Sequence, residues 1–254
     1  MNSFYDFVPY KFGPFSFTLY RDLERLTLNE IIVNYTKKVV LSQIGRKHVE
    51  AELDSLNSAQ KSAVLDLFSM VKEWDTKYLV NHVYRKYPWY TIKSENVSMK
   101  SASKTSTEPA NHLIHTIGYE GRSIDSFLNH LLKEDIQILI DVRANALSRK
   151  YGFSKRQLSS LCQKFDIVYC HERSLGVPSK ERKNLKNHQS YRKLFERYEK
   201  RISLDDYRLV QSVSQVMENV PSALMCFESD NRSCHRRPLA DAISSVNGLT
   251  INHL

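Results

Sequence analysis

Residues 113–143, LIHTIGYEGRSIDSFLNHLLKEDIQILIDVR, decide how this chain of 254 residues folds. Leu113 to Ile117 is a short, largely β-branched run that closes in the turn Gly118-Tyr119-Glu120-Gly121-Arg122. Ser123 then caps a helix in which Ile124, Phe127, Leu128, Leu131 and Leu132 recur at helical spacing. Ile136 to Val142 reads as a second buried strand, ending in the charged residues Asp141 and Arg143. Strand, helix and strand over about thirty residues make a βαβ unit, which predicts a parallel sheet with a right-handed crossover.

Working towards the C-terminus, a helix is predicted over 154–165, a strand over 167–171, a helix over 209–217 and a strand over 223–227. After a polar turn, Leu239, Ala240 and Ile243 mark another helix, and residues 249–254 read as a last strand. Residues 112–254 are therefore predicted to form a three-layer α/β domain with a mainly parallel sheet.

Working towards the N-terminus, residues 96–111 are rich in Ser, Thr, Lys and small residues without periodicity, which reads as a linker. Residues 1–95 read as a small, mainly helical domain. Phe15, Leu19, Leu23 and Leu26 stripe a helix capped by Ser16, and two short strands, Ile31 to Val33 and Val39 to Leu41, follow it in the order of a winged helix. Helices are also expected over 58–73, with Val64, Leu65, Phe68 and Val71 inward, and over 76–85.

Composition is that of a globular protein, with 41% hydrophobic and 26% charged residues. No apolar run approaches the roughly 20 residues of a membrane helix, and the first residues lack the pattern of a secretion signal. A cytoplasmic protein without membrane contact is expected, its four cysteines held as free thiols. The net charge of +9 fits a polyanionic partner, DNA or RNA, because Lys and Arg gain by displacing counterions from phosphates. Lys37 and Lys38 at the wing tip, and Arg182, Lys183 and Lys186 in the basic stretch 180–201, are the candidate contacts. A solvated helix face is the plainer reading of that stretch.

Parallel strands place their C-terminal ends on one edge, where ligands of open α/β sheets bind. That edge should gather Gly118, Tyr119, Glu120, Asp141, Arg143, His171, Glu228, Cys234, His235 and Arg236, with Arg149 a further binding candidate. Asp141 or Glu228 beside Arg143 and Arg236 can activate water or stabilise a developing cation. Cys234, followed by His235 and two arginines, is a candidate low-pKa thiolate. The remaining residues are candidates for binding a small anion or nucleotide. Each also has a structural reading: Asp141 with Arg143 as a simple pair, His171 as a satisfied core histidine, Cys234 as a cap. Cys170, His171, Cys226, Cys234 and His235 offer five donors, but no Cys-x-x-Cys or His-Glu-x-x-His spacing occurs. Neither a metal nor a cofactor is predicted.

Four motifs in register carry a resemblance. His115-Thr116-Ile117-Gly118-Tyr119-Glu120-Gly121 comes first, then Leu139-Ile140-Asp141-Val142-Arg143 with Ser148-Arg149. Ile167-Val168-Tyr169-Cys170-His171 with Leu175-Gly176 follows, then Cys226-Phe227-Glu228 with Cys234-His235-Arg236. Over about 140 residues this order resembles the domain of unknown function 488 family, which implies an α/β domain without naming its activity. The stretch from Pro9 to Ser16 resembles the winged-helix-like region that precedes the domain in some members. The functional expectation is an enzyme processing nucleic acid or nucleotide by carboxylate-assisted hydrolysis or glycosidic-bond chemistry. A DNA-binding regulator with a ligand-binding α/β domain, or a cysteine-thiolate enzyme, are the alternatives. Substrate identity and oligomeric state are not legible in the sequence.

Overall fold

The computed structural model describes residues 5–35, 38–95, 113–182, 185 and 188–254. The chain divides into two compact units, Met1–Lys104 and Thr105–Leu254. The expected linker 96–111 lies outside the described residues.

In the first unit, β1 (Val8–Tyr10) pairs antiparallel with β2 (Gly13–Phe15), and Ser16 caps α1 (Phe17–Leu28) by accepting from the Leu19 amide at 3.2 Å. The hairpin of β3 (Ile32–Tyr35) and β4 (Lys38–Leu41) follows, then α2 (Gln43–Ser55), α3 (Ser58–Val71) and α4 (Thr76–Lys86). The helix and its hairpin stand where they were expected. The β1–β2 pair and α2 were not expected. Pro9, Gly13 and Pro14 read as breakers, yet a two-stranded edge tolerates proline, and α2 carries Gly45 and few apolar residues. A complete winged helix is not seen: among the described residues one helix precedes the β3–β4 hairpin and three follow it. The inward face expected on α3 is also corrected, since no α3 residue is buried and Val64, Leu65 and Phe68 are exposed. With Leu67 and Met70 the apolar side chains spread over more than half of this helix, and Ser62, Asp66 and Ser69 form its polar side.

The second unit is the α/β domain read from its βαβ stretch. Its strands are β5 (Ile114–Gly118), β6 (Ile138–Asp141), β7 (Val168–His171), β8 (Ser222–Cys226) and β9 (Ile251–His253). They form one parallel sheet in the order β7-β6-β8-β5-β9. α5 (Ile124–Lys133) and α6 (Lys155–Gln163) cover one face. α7 (His188–Leu204), α8 (Tyr207–Asn219) and α9 (Arg236–Asn247) cover the other, sharing a core with Ile114, Ile140, Val142, Leu224 and Cys226. That makes three layers.

This strand order positions the site. β8 lies between β6 and β5, whose helices pass to the α5–α6 face, while α9 leaves β8 for the opposite face. Neighbouring strands that send their helices to opposite faces leave a crevice at their carboxyl ends. The end of β8 is flanked by such a crevice on both sides.

Candidate functional site

All five residues of β8 are buried, and alternation along the strand turns Cys226 towards the α7–α9 face. A tight loop then leads into α9. Asp230 caps a short helical turn, Asn231–Ser233, by accepting from the Arg232 amide at 2.9 Å. Arg236, the first residue of α9 and only 1% exposed, donates to Thr116 Oγ1 at 3.3 Å, to the Ser229 carbonyl at 2.9 Å and to the Glu228 carbonyl. A buried guanidinium needs this many acceptors, and here two of the three are carbonyls of the loop itself. Gly118 permits the close approach: a Cβ there would lie 1.8 Å from the Glu228 carbonyl oxygen.

Inside the loop, Cys226, Cys234, His235 and Glu228 meet. Cys226 Sγ lies 3.1 Å from Glu228 Oε2 and 3.7 Å from His235 Nδ1. The Arg182 guanidinium donates to Glu228 Oε1 at 2.8 Å and sits 3.0 Å from His235 Nδ1. His235 Nε2 donates to the Val142 carbonyl at 2.9 Å, which fixes the ring. Burial opposes ionisation of Cys226, but the Cys234 hydrogen bond and the charges of His235 and Arg182 outweigh it and hold the thiol well below its usual range. Burial and the neighbouring Cys226 push Cys234 well above it. Within this coupled pair the surroundings favour ionisation at Cys226, whereas the sequence reading placed it at Cys234. Glu228 is raised by burial and by Cys226. Arg182, Glu228 and His235 line a cavity of about 320 Å³ whose other walls include Tyr191, Phe195 and Phe227.

Asp141 and Arg143 form a separate cluster on the α5–α6 side. Arg143 binds Asp141 through Nε at 2.8 Å and Nη2 at 2.5 Å, and donates to Tyr119 Oη at 3.1 Å and the Phe153 carbonyl at 2.9 Å. Tyr169 donates to the same Asp141 carboxylate at 2.5 Å. Asp141 is 0% exposed and Arg143 5%, so this carboxylate is fully engaged in holding Arg143. Burial and the Asp141 hydrogen bond raise the Tyr169 hydroxyl far above its normal value.

A second cavity, of about 820 Å³, opens at the ends of β6 and β7. Lys155, His171, Arg173 and Arg201 are among its lining residues, which include no carboxylate, and Arg201 pairs with Asp206 at 3.1 Å. Gly176, Pro178 and Ser179 wall this cavity while Val177 and Arg182 wall the smaller one, so the segment 176–182 separates the two.

The sheet edge thus collects the predicted residues but divides them. Glu228, Cys234 and His235 stand together, with Arg236 behind them. Asp141, Arg143 and Tyr119 stand on the opposite face. His171 lies 2.8 Å from the Arg143 carbonyl, Glu120 accepts from the Ser229 amide and hydroxyl, and Arg149 is exposed. Arg182, expected as a nucleic-acid contact, forms an ion pair with Glu228. Lys38 is exposed in the first unit and lies over the Tyr35 ring. Lys37, Lys183 and Lys186 are outside the described residues. Sequence reasoning set Cys226 aside as strand core, although its place at the strand end was a signal. It also passed over Tyr169, which sits two residues before His171, the register partner of Asp141.

Fold and site together define a parallel α/β domain with a polar constellation at a switch point of its sheet. Residues 123–243, in the C-terminal part of the chain, match the model of the family Domain of unknown function DUF488. No curated protein and no solved structure matches the chain. Among the described residues no helix is long and apolar enough to cross a membrane.

Proposed function

We propose that the C-terminal domain is an enzyme that processes a nucleotide or nucleic acid by carboxylate-assisted hydrolysis, with glycosidic-bond cleavage the foremost case. One observation carries this reading: Glu228 is the single carboxylate among the described residues lining the smaller cavity, and Arg182 holds it there beside His235. A carboxylate so placed can activate a water or stabilise the positive charge that develops at a glycosidic carbon. The aromatic walls Tyr191, Phe195 and Phe227 offer stacking surface for a base or sugar. The neighbouring cavity, with Lys155, Arg173 and Arg201, suits the phosphate of the same substrate.

The test begins with mass spectrometry of small molecules and nucleic acid that copurify with the protein. A panel of nucleotides and single- and double-stranded DNA and RNA is then assayed for binding and for product. Glu228→Gln should abolish product while binding survives. Absence of affinity for every nucleotide and nucleic acid at low salt would sink the proposal. Binding without turnover by the unaltered protein would favour a ligand-binding regulator.

A further inference from the structure

We propose that Cys226, Cys234 and His235 form a binding site for one soft divalent cation of the Zn²⁺ type. The two sulfur atoms and one imidazole nitrogen all lie within 4.8 Å of one another, and all three residues are buried. A tetrahedral zinc with Zn–S of about 2.3 Å and Zn–N of about 2.0–2.1 Å holds its S and N ligands roughly 3.5–3.8 Å apart. Cys226 Sγ and His235 Nδ1 are already 3.7 Å apart.

The orientation of the histidine agrees. Its Nε2 faces the Val142 carbonyl at 2.9 Å, and a carbonyl only accepts, so Nε2 carries a proton. Once its second proton is displaced, the ring therefore offers its lone pair from Nδ1, the atom turned towards Cys226. Ligating histidines are held in this way, with the far N–H on a carbonyl or carboxylate. The loop bearing the other donors is fixed beforehand, because Arg236 grips the Glu228 and Ser229 carbonyls and Asp230 caps the turn before Cys234.

Two thiolates and an imidazole select a soft or borderline cation over Mg²⁺ or Ca²⁺, which prefer oxygen. Charge also balances among these groups: two thiolates cancel a dication, and Arg182 cancels Glu228. Entry of the cation displaces the protons shared among the thiols and the ring. Arg182 Nη2, now 3.0 Å from Nδ1, gives up that contact and keeps Glu228. Three protein ligands leave a fourth position on the side of Glu228. The sequence hides the site because its cysteines are eight residues apart and one of them ends a strand.

The site shares His235 with the cavity proposed for substrate, but its test needs no substrate. The full chain, purified without chelator and then stripped, is titrated with Zn²⁺ against a chromophoric chelator, and separately with Co²⁺. About one equivalent should bind per chain, and the Co²⁺ form should show thiolate-to-metal charge-transfer absorption. Cys226→Ser or Cys234→Ser should weaken binding by more than the roughly 10–100-fold that loss of an outer hydrogen-bond partner costs. Cys170→Ser and Glu228→Gln should keep the stoichiometry. If the serine variants do not fold, the Co²⁺ spectrum of the unaltered protein decides. Binding of less than about a tenth of an equivalent, or Co²⁺ bound without thiolate absorption, would overturn the proposal. So would full affinity in folded Cys226→Ser and Cys234→Ser. Metal bound with no turnover of any substrate would count against the function proposed above and not against the site.

Discussion

Arg182 and Glu228, 46 residues apart in sequence, meet at 2.8 Å in the wall of the smaller cavity. The same guanidinium reaches His235, which a planar fork can do and a single ammonium cannot. Arg182→Lys should therefore lower ligand affinity or turnover by about tenfold, equivalent to about 1.4 kcal/mol, through misplacement of Glu228. Stability should hardly move, since a pair whose side chains are 33% and 21% exposed contributes about 1 kcal/mol at most. Ligand titration and thermal melting of the same variant separate the two effects. A large drop in melting temperature would reassign Arg182 to the scaffold.

Asp141 gives the opposite expectation. Its two oxygens serve Arg143 and Tyr169 in a site closed to solvent. Asp141→Asn removes the countercharge of a buried guanidinium, and breaking a buried pair from one side costs about 3–5 kcal/mol. Tyr169→Phe, which removes one hydrogen bond, should cost about 1 kcal/mol. Urea unfolding followed by circular dichroism measures both. A folded, stable Asp141→Asn protein that had lost only its activity would return Asp141 to the chemistry.

These two carboxylates show what the sequence could and could not disclose. The βαβ stretch was legible because each element carries its own period: alternation or β-branching in the strands, and the Ile124 to Leu132 stripe in the helix. Gathering the polar strand ends on one edge followed from parallel pairing alone. Which face each end occupies did not, because it depends on β8 entering between β6 and β5, a long-range choice no local pattern encodes. Asp141 and Glu228 look alike in sequence, yet the β6–β7 register gives Asp141 a tyrosine partner while segment 176–182 brings Glu228 an arginine. Cys226 was hidden by its apolar neighbours. In the first unit, Pro9 and Pro14 masked a hairpin that local propensity disfavours.

Gly118 should resist any substitution. Gly118→Ala places a methyl group against the Glu228 carbonyl, which the Arg236 guanidinium holds in place. Overpacking of this kind costs about 1–3 kcal/mol, and relief by moving the loop would displace Glu228. Gly121 provides the control. A Cβ there meets nothing within 4 Å, so only its φ of +74° opposes alanine, at about 1–2 kcal/mol. Both variants should melt earlier, but ligand binding should fall in Gly118→Ala alone. Equal binding in the two would mean that the loop position does not matter to the site.

The stability of the α/β domain should fall in mild acid because of two histidines at the β5–β9 edge. Burial holds His115 below its ordinary value of 6.5, and its Nδ1 accepts from the Asn252 amide at 3.3 Å, a bond that needs the neutral ring. His253 is lowered by burial and then by Arg236 and Arg237, and its Nδ1 lies 2.6 Å from Thr116 Oγ1. In the unfolded chain both take up protons as pH falls through 6.5, while in the folded chain both take them up only at lower pH. The unfolded state then binds more protons, so unfolding free energy decreases with falling pH until the folded histidines themselves titrate. His115→Gln and His253→Gln should each flatten the decline below pH 6.5, and the double variant should flatten it most. Denaturant unfolding across a pH series gives the slopes directly. Unchanged slopes in the double variant would place the acid sensitivity elsewhere in the domain.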